Sequence, residues 1–372
     1  MQKTKRWVFS ETLPLWAERG IDKKNGGCVE ALDHCGAPLS GLPRRVRIHP
    51  RQCYVFARAG RYDPERYLPV ANDLFRFTMA CFDPQTKRLA SLTSPEGAVL
   101  GAGHQLYDLS FVLLAASAMV AAGFGIEAEL AFLERRLAEL KAPRGWFETP
   151  SRAFPRLQNS HMHLFEASVE LFAATGAPVW QEAADECLEL FHEKFAASDG
   201  TVREFFDQDW VPVKSIQRNE PGHAAEWISL LHRYEQVMGA ASGGNFRQIY
   251  QYLLRASGSG SLLPDCTAPV EQSSRLWPQT EFLKALLSLR HYGIVHQTCS
   301  PEKVVKVIFD TYLATPVPGG WYDKRSATGE LLSDKMPSSS LYHLYSGFVT
   351  YLEERGALRP DDMVRSRVGA ET

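Results

Sequence analysis

The chain lacks the cysteine pattern of a disulfide or zinc framework. Its seven cysteines are an odd number with no CxxC spacing, so they read as reduced thiols buried as small apolar groups, as expected in the cytoplasm. Excess charge of one sign is also missing. With 41 basic and 43 acidic residues and a net charge of −2, no field draws nucleic acid or an anionic membrane, and neither is expected as a partner. The N-terminal MQKTKRWVFSETLPLW carries no sustained apolar run, which argues against a secretory signal. One uncharged stretch, Leu109 to Ile126, is eighteen residues long, near the length needed to cross a bilayer. Gly123 and Gly125 interrupt it where a turn between helices is expected. GxGxxG, Walker A, HExxH and GxSxG are all absent. His49 and Cys53 have i, i+4 spacing but no evident third ligand. Neither a metal nor a cofactor is therefore expected.

What the sequence does contain is a repeat. Six times a glycine-containing stretch leads into an aromatic, apolar helix: Gly26-Gly27 before RQCYVFARA at Arg51, Gly101 before YDLSFVLLAA at Tyr107, Gly145 before MHLFEASVEL at Met162. Gly200 then precedes AAEWISLLHR at Ala224, Gly260 precedes TEFLKALLSL at Thr280, and Gly319-Gly320 precede YHLYSGFVTY at Tyr342. The steps run from 55 to 62 residues, room for two ordinary helices with their connections. Second helices are visible at Leu130, Trp180 and Pro301, with apolar residues at i, i+3, i+4 and i+7. Ser300 followed by Pro301 adds a helix-start signal. Six hairpins placed head to tail predict an all-α (α/α)6 barrel, aromatic helices inside and amphipathic ones outside. Even spacing over a chain 45% hydrophobic and 23% charged predicts a single catalytic domain over 1–359, with a polar tail from Pro360 to Thr372.

If the six inner helices converge on one axis, the residues at their starts meet at one mouth. Those residues include Arg47, Arg51, Tyr107, Asp108, Asn159, His161, His163, Glu166, His223, Glu226, Trp227, Arg275, Trp277, Glu281 and His343. The set is rich in histidine, carboxylate, arginine and aromatic rings. His161 and His163 point in different directions on a helix, and His161 reads as structural. His163 shares a face with Glu166 at i+3, and His223 with Glu226, so that a carboxylate can orient each imidazole.

Seven stretches in order, GGCVEALD, RVRIHPRQCYVFA, LYDLSFVLLA, NSHMHLFEA, PGHAAEWISLL, RLWPQTEFLKA and KMPSSSLYHL, are similar to the N-acylglucosamine 2-epimerase superfamily of sugar 2-epimerases and aldose–ketose isomerases. The resemblance implies an (α/α)6 barrel enzyme with His223 and His343 as its acid/base pair. It implies that Arg51, Tyr107, Asn159, His163 and Glu226 hold the sugar, and that Arg47, Trp227, Trp277 and Glu281 complete the substrate-binding set. Cys28 stands where the family usually has an aromatic residue, a change expected at a pocket wall. A monosaccharide substrate is implied, and a homodimer is compatible with the family.

Chemistry at C2 of an aldose begins with removal of the proton beside the aldehyde. Imidazoles titrate near neutrality and suit both its removal and its return, through a cis-enediolate. The expected activity is isomerisation of a mannose-type sugar, with N-acylglucosamine 2-epimerisation as the alternative. Arg152, Arg156, Lys214 and Arg218 are candidates for binding a sugar phosphate. A glycoside hydrolase using two of Asp108, Glu166, Glu226 and Glu281 is a third reading, and a noncatalytic binding module a fourth.

Overall fold

The computed structural model describes residues 1–258, 262–295 and 299–358. Gly260 and the tail from Pro360 to Thr372 lie outside the described residues. The chain opens with a helical run, α1, in which π-helical turns at Trp7–Thr12 and Trp16–Gly20 alternate with α-helical Gln2–Arg6 and Leu13–Leu15. Pro14 sits between the two π segments, where a ring without an N–H breaks the regular ladder. Next come α2 (Ile48–Ala59), α3 (Pro64–Ala80), α4 (Leu106–Ala121), α5 (Glu127–Ala138), α6 (Gln158–Thr175) and α7 (Pro178–Leu190). The series ends with α8 (Pro221–Met238), α9 (Phe246–Ser257), α10 (Leu276–His291), α11 (Pro301–Thr311) and α12 (Ser340–Glu354).

The even-numbered helices form the inner ring, each packed on the next and α12 on α2. Composition explains the sorting. From Leu276 to Leu289, only Trp277 of α10 escapes full burial, as expected of a helix with neighbours all round. The outer α9 buries Phe246, Ile249, Tyr250 and Leu253, and α11 buries Val304, Val305, Ile308 and Phe309, one stripe each. Glycines in the left-handed region stop α6 and α8, Gly176 and Gly239, both at φ 67°. The Ser300 side chain accepts from Lys303 N with Pro301 at the first helical position, as the sequence predicts. Gly123, at φ 86°, turns the chain just after α4. Among the described residues no helix is long and apolar enough to cross a membrane.

Two features depart from the sequence-based picture. The sixth hairpin is not contiguous: α12 has its outer partner in α1, so the two ends of the fold close the ring. Trp7 packs edge-on against Phe348 at 5.4 Å, Trp16 stacks on Trp321 at 5.0 Å, and Thr12 Oγ1 donates to the Gly319 carbonyl at 2.8 Å. The second departure is short antiparallel ladders in the loops leading to inner helices. Arg44–Arg45 pairs with Ala90–Thr93, Arg156–Leu157 with Phe205–Phe206, Ser274–Arg275 with Lys324–Arg325, and Ala31–Leu32 with Met336–Pro337. Two-residue strands give no period-2 signal, so the all-α reading missed them. They stiffen the rim from which site residues project.

At the seam, Gly319 has φ 78° and a Cβ there would fall 2.5 Å from backbone atoms of Glu11 and Thr12. Gly329 has φ 86° with open space around it. Gly319→Ala is expected to destabilise the protein by about 1–3 kcal/mol more than Gly329→Ala in urea unfolding, because only the first adds a clash to the left-handed strain. Equal losses would show that the seam does not hold the ring.

Candidate active site

Because every inner helix presents its first two turns to the same end of the barrel, side chains from six segments enclose one cavity of about 580 Å³. Arg51, Tyr107, Asn159, His163, His223, Glu226, Trp277 and His343 all line it. Six helix N-termini also face this end, and their partial positive charges favour an anion. Trp277 stands between the two candidate histidines, its ring centroid 5.4 Å from that of His223 and 5.3 Å from that of His343.

Each of these histidines is tied at Nδ1 to a carboxylate, which leaves Nε2 for the cavity. His343 Nδ1 lies 2.8 Å from Glu281 Oε1, and Glu281 Oε2 lies 2.6 Å from the ammonium of Lys284. His223 Nδ1 lies 2.9 Å from Glu204 Oε1, with Glu220 at 4.0 Å. The orienting carboxylate of His223 is thus Glu204, not Glu226, from which the sequence had predicted it. Glu226 shares the helix with His223 but its carboxylate turns toward Glu281 and Glu166.

The two pairs have opposite electrostatics. Burial alone would depress His223, but the charge and hydrogen bond of Glu204, with Glu220 beyond, raise it to about 10. Burial also depresses His343. Glu281 opposes that effect, yet Arg51 and Lys284 reinforce it, and the result stays below the ordinary imidazole value. One imidazole is therefore held as a cation while the other is held neutral.

At and below the cavity floor lie three buried carboxylates, of which Glu226 lines the cavity. Glu166 accepts from the Tyr342 hydroxyl and lies 3.2 Å from His163 Nδ1. Burial and the neighbouring Glu281 and Glu166 drive Glu226 well above the usual carboxylate range, so it is held as the neutral acid, with no hydrogen-bond partner at Oε1 among the described residues. Lys284 is the cation of this layer. Burial would lower it, but Glu281 and Glu166 together raise it. Two overlapping trios, His163 with Glu166 and Glu226, and Glu226 with Glu281 and His343, bring ligand-type atoms within 4.8 Å of one another. The fit to a metal is poor, since Tyr342, His163, His343 and Lys284 already engage the ionised carboxylates.

Arg51 donates to the Tyr107 hydroxyl at 2.7 Å and lies over the Phe111 ring at 3.9 Å. Three other expected site residues lie off the cavity wall. Arg47 pairs with Asp108 at 3.2 Å behind Tyr107. Trp227 faces outward, its Nε1 donating to Gln158 at 2.9 Å and its ring packed on Phe191, because one residue beyond Glu226 turns about 100° around the helix. Glu281 is fully buried and acts through His343. His161 is structural, as expected, bound at 3.1 Å by Trp146 N and at 2.8 Å to Leu157 O. Cys28 is buried against His49 rather than on the pocket wall. Of the basic loop residues, Arg152 and Arg156 line a different groove, Lys214 is exposed, and Arg218 pairs with Glu220 and Glu271. None lines the cavity.

The signal that could have found Glu204 is the repeat itself. Glu148, Glu204, Asp265 and Asp323 recur at its period, and the first and last accept from Ser160 and Ser340 where Glu204 meets His223.

A model of the N-acylglucosamine 2-epimerase (GlcNAc 2-epimerase) family matches residues 26–347. The chain belongs to this family. Within it, a mannose-6-phosphate isomerase of Rhizobium meliloti (strain 1021) is 32% identical over 369 residues, 91% of this chain and 93% of the relative. A D-mannose isomerase of Thermobifida fusca is 30% identical over 177 residues, 42% of this chain and 44% of the relative. The solved structure of cellobiose 2-epimerase from Spirochaeta thermophila DSM 6192 superposes with a TM-score of 0.82 at 21% identity, covering 95% of this chain and 96% of that one. Membership places the protein among sugar isomerases and epimerases, and the barrel fold is theirs.

Two outcomes test the electrostatics. Glu204→Gln should lower the His223 pKa from about 10 by several units, read by NMR titration of the imidazole; an unmoved value would remove Glu204 as its partner. Lys284→Met should cost roughly 3–5 kcal/mol in denaturant unfolding, since it strands buried carboxylates without their cation.

Proposed function

We propose that the protein interconverts a mannose-type aldose and its ketose by proton transfer between C2 and C1. The observation that carries this reading is the pair of differently protonated imidazoles facing one cavity, His343 neutral and His223 protonated. His343 takes the proton from C2 while His223 gives one to O1, and the cis-enediol forms. The ketose follows when His343 returns its proton to C1 on the same face and His223 takes the proton from O2. Protons and electrons balance over the two steps, and only proton carriers are needed, so no cofactor enters.

Charge that develops on O1 meets Arg51 and the converging helix N-termini. Tyr107, Asn159, His163 and the neutral acid of Glu226 are the proposed partners of the sugar hydroxyls, and Trp277 gives a ring face its apolar contact. Arg51 Nε, Asn159 Oδ1 and Glu226 Oε1 have no protein partner among the described residues, which suits a polyhydroxylated ligand. Isomerisation is favoured over epimerisation because the two relatives named above, 32% and 30% identical, carry isomerase names. Epimerisation would instead need a proton delivered to the opposite face of C2, from His223.

Incubation with mannose in D2O, followed by proton NMR, should show fructose forming with loss of the C2 proton signal. His343→Gln and His223→Gln should each lower kcat by about 10²- to 10⁴-fold with unfolding midpoints nearly unchanged; full activity in both would sink the assignment. The pH profile carries a sign. The base must be neutral and the acid protonated, so kcat/KM should hold a plateau from below the ordinary imidazole value up to about pH 10, then fall as His223 loses its proton.

A further inference from the structure

Of the chain's 27 glycines, only two among the described residues lie inside a regular α-helix, Gly222 in α8 and Gly347 in α12. Alanine is the better helix former at such positions. Neither glycine has the left-handed φ that disfavours a side chain, so the backbone does not account for them. Both lie on the helices that carry the candidate acid and base. Gly222 directly precedes His223, and Gly347 follows His343 by one turn.

Both glycines face the same neighbour, α10, which packs on α8 and on α12. A Cβ at Gly222 would fall 2.5 Å from Trp277 Cη2, 2.7 Å from its Cζ3 and 3.1 Å from Pro278 Cβ. Contacts that short cannot stand, so either the indole or the first turn of α8 would have to move. A Cβ at Gly347 would fall 3.0 Å from Thr280 Cβ and 3.2 Å from the Thr280 carbonyl oxygen. There the neighbour is backbone, and a methyl group would press α12 away from α10. What this closeness serves is the site. α10 supplies Trp277, whose ring stands between the two histidines at 5.4 and 5.3 Å, and Glu281, whose carboxylate lies 2.8 Å from His343 Nδ1. The indole lines the cavity and is half-buried, so a push from Gly222 would drive it into the space a sugar needs. A push at Gly347 would instead lengthen the contact of His343 with Glu281.

We infer that Gly222 and Gly347 are positioning residues for the proton transfers, letting α8 and α12 seat against α10 at the distance that fixes Trp277 between His223 and His343. The inference rests on the reading that these two histidines carry the protons of the reaction. Each glycine acts through a neighbour, Gly222 through the Trp277 ring and Gly347 through the contact between His343 and Glu281. Acid, spacer and base come from three different helices, and the absence of two methyl groups sets their spacing.

The test combines kinetics on mannose with NMR titration of both imidazoles in Gly222→Ala, Gly347→Ala, Trp277→Phe and the double variant Gly222→Ala/Trp277→Phe. Gly222→Ala should lower kcat by about 10- to 100-fold, the penalty of misplaced reacting groups, and displace the His223 and His343 ring-proton signals, which sense the indole's ring current. In the Trp277→Phe background, where a shorter ring meets the new methyl group, the same substitution should change kcat by less than about twofold, as for independent sites. Gly347→Ala should move the His343 pKa further below the ordinary imidazole value, because Glu281 is what supports its proton, and leave His223 near 10. Equal losses from Gly222→Ala in both backgrounds, or an unmoved His343 pKa in Gly347→Ala, overturn the inference. So does a Gly222→Ala protein that folds only alongside Trp277→Phe, since that would be a packing role alone. If the wild type turns over no aldose, the isomerase reading falls instead, and the imidazole signals and pKa values of the two alanine variants still decide whether the glycines place the ring and the histidines.

Discussion

A single ammonium group, Lys284 Nζ, makes the centre of this barrel possible. Three carboxylates, Glu166, Glu226 and Glu281, project from three inner helices into a buried layer. Ionised together and alone, they would push those helices apart. Lys284 pairs directly with Glu281, Tyr342 and His163 hold Glu166, and Glu226 takes the remaining course by keeping its proton. The layer thus divides one cation, a hydroxyl, an imidazole and a proton among three acids. Its upper surface is the floor on which a sugar would rest.

The difference between the two candidate histidines follows from that layer and from Arg51. Both are buried and both have a carboxylate at Nδ1, so neither burial nor pairing separates them. What separates them is what stands behind the carboxylate. Glu281 is already neutralised by Lys284, and its hold on a proton at His343 is weak. Glu204 has no such cation among the described residues, so His223 keeps its proton. Two side chains of one residue type are thereby held in different protonation states, with Arg51 and Lys284 acting against the proton on His343.

Legibility followed periodicity. The inner helices could be read from sequence because burial on all sides writes long apolar, aromatic runs at a fixed interval, and the residues at their starts came with them. Eight of the eleven expected site residues line the cavity for that reason. Trp227 and Glu281 differ from true lining residues only by rotation about a helix or by depth along it, and sequence spacing fixes neither to one side chain. Glu204 lies in a loop just before the two-residue strand Phe205–Phe206, where no local pattern marks a functional acid. The closure of α1 on α12 was equally hidden, because it joins segments at opposite ends of the chain and no interval connects them.

That closure also sets an order of assembly. The Thr12 to Gly319 contact spans 307 residues, and at about 5–20 residues per second a ribosome takes roughly 15–60 s to cover that distance. During that interval Trp7 and Trp16 have been synthesised but Phe309, Phe348 and Trp321, the rings they pack on, have not. The newborn chain therefore carries an adhesive apolar strip throughout its synthesis, covered only when the last helix arrives. This is the time when a chaperone would hold it, and when two unfinished copies would be most apt to seize each other's ends.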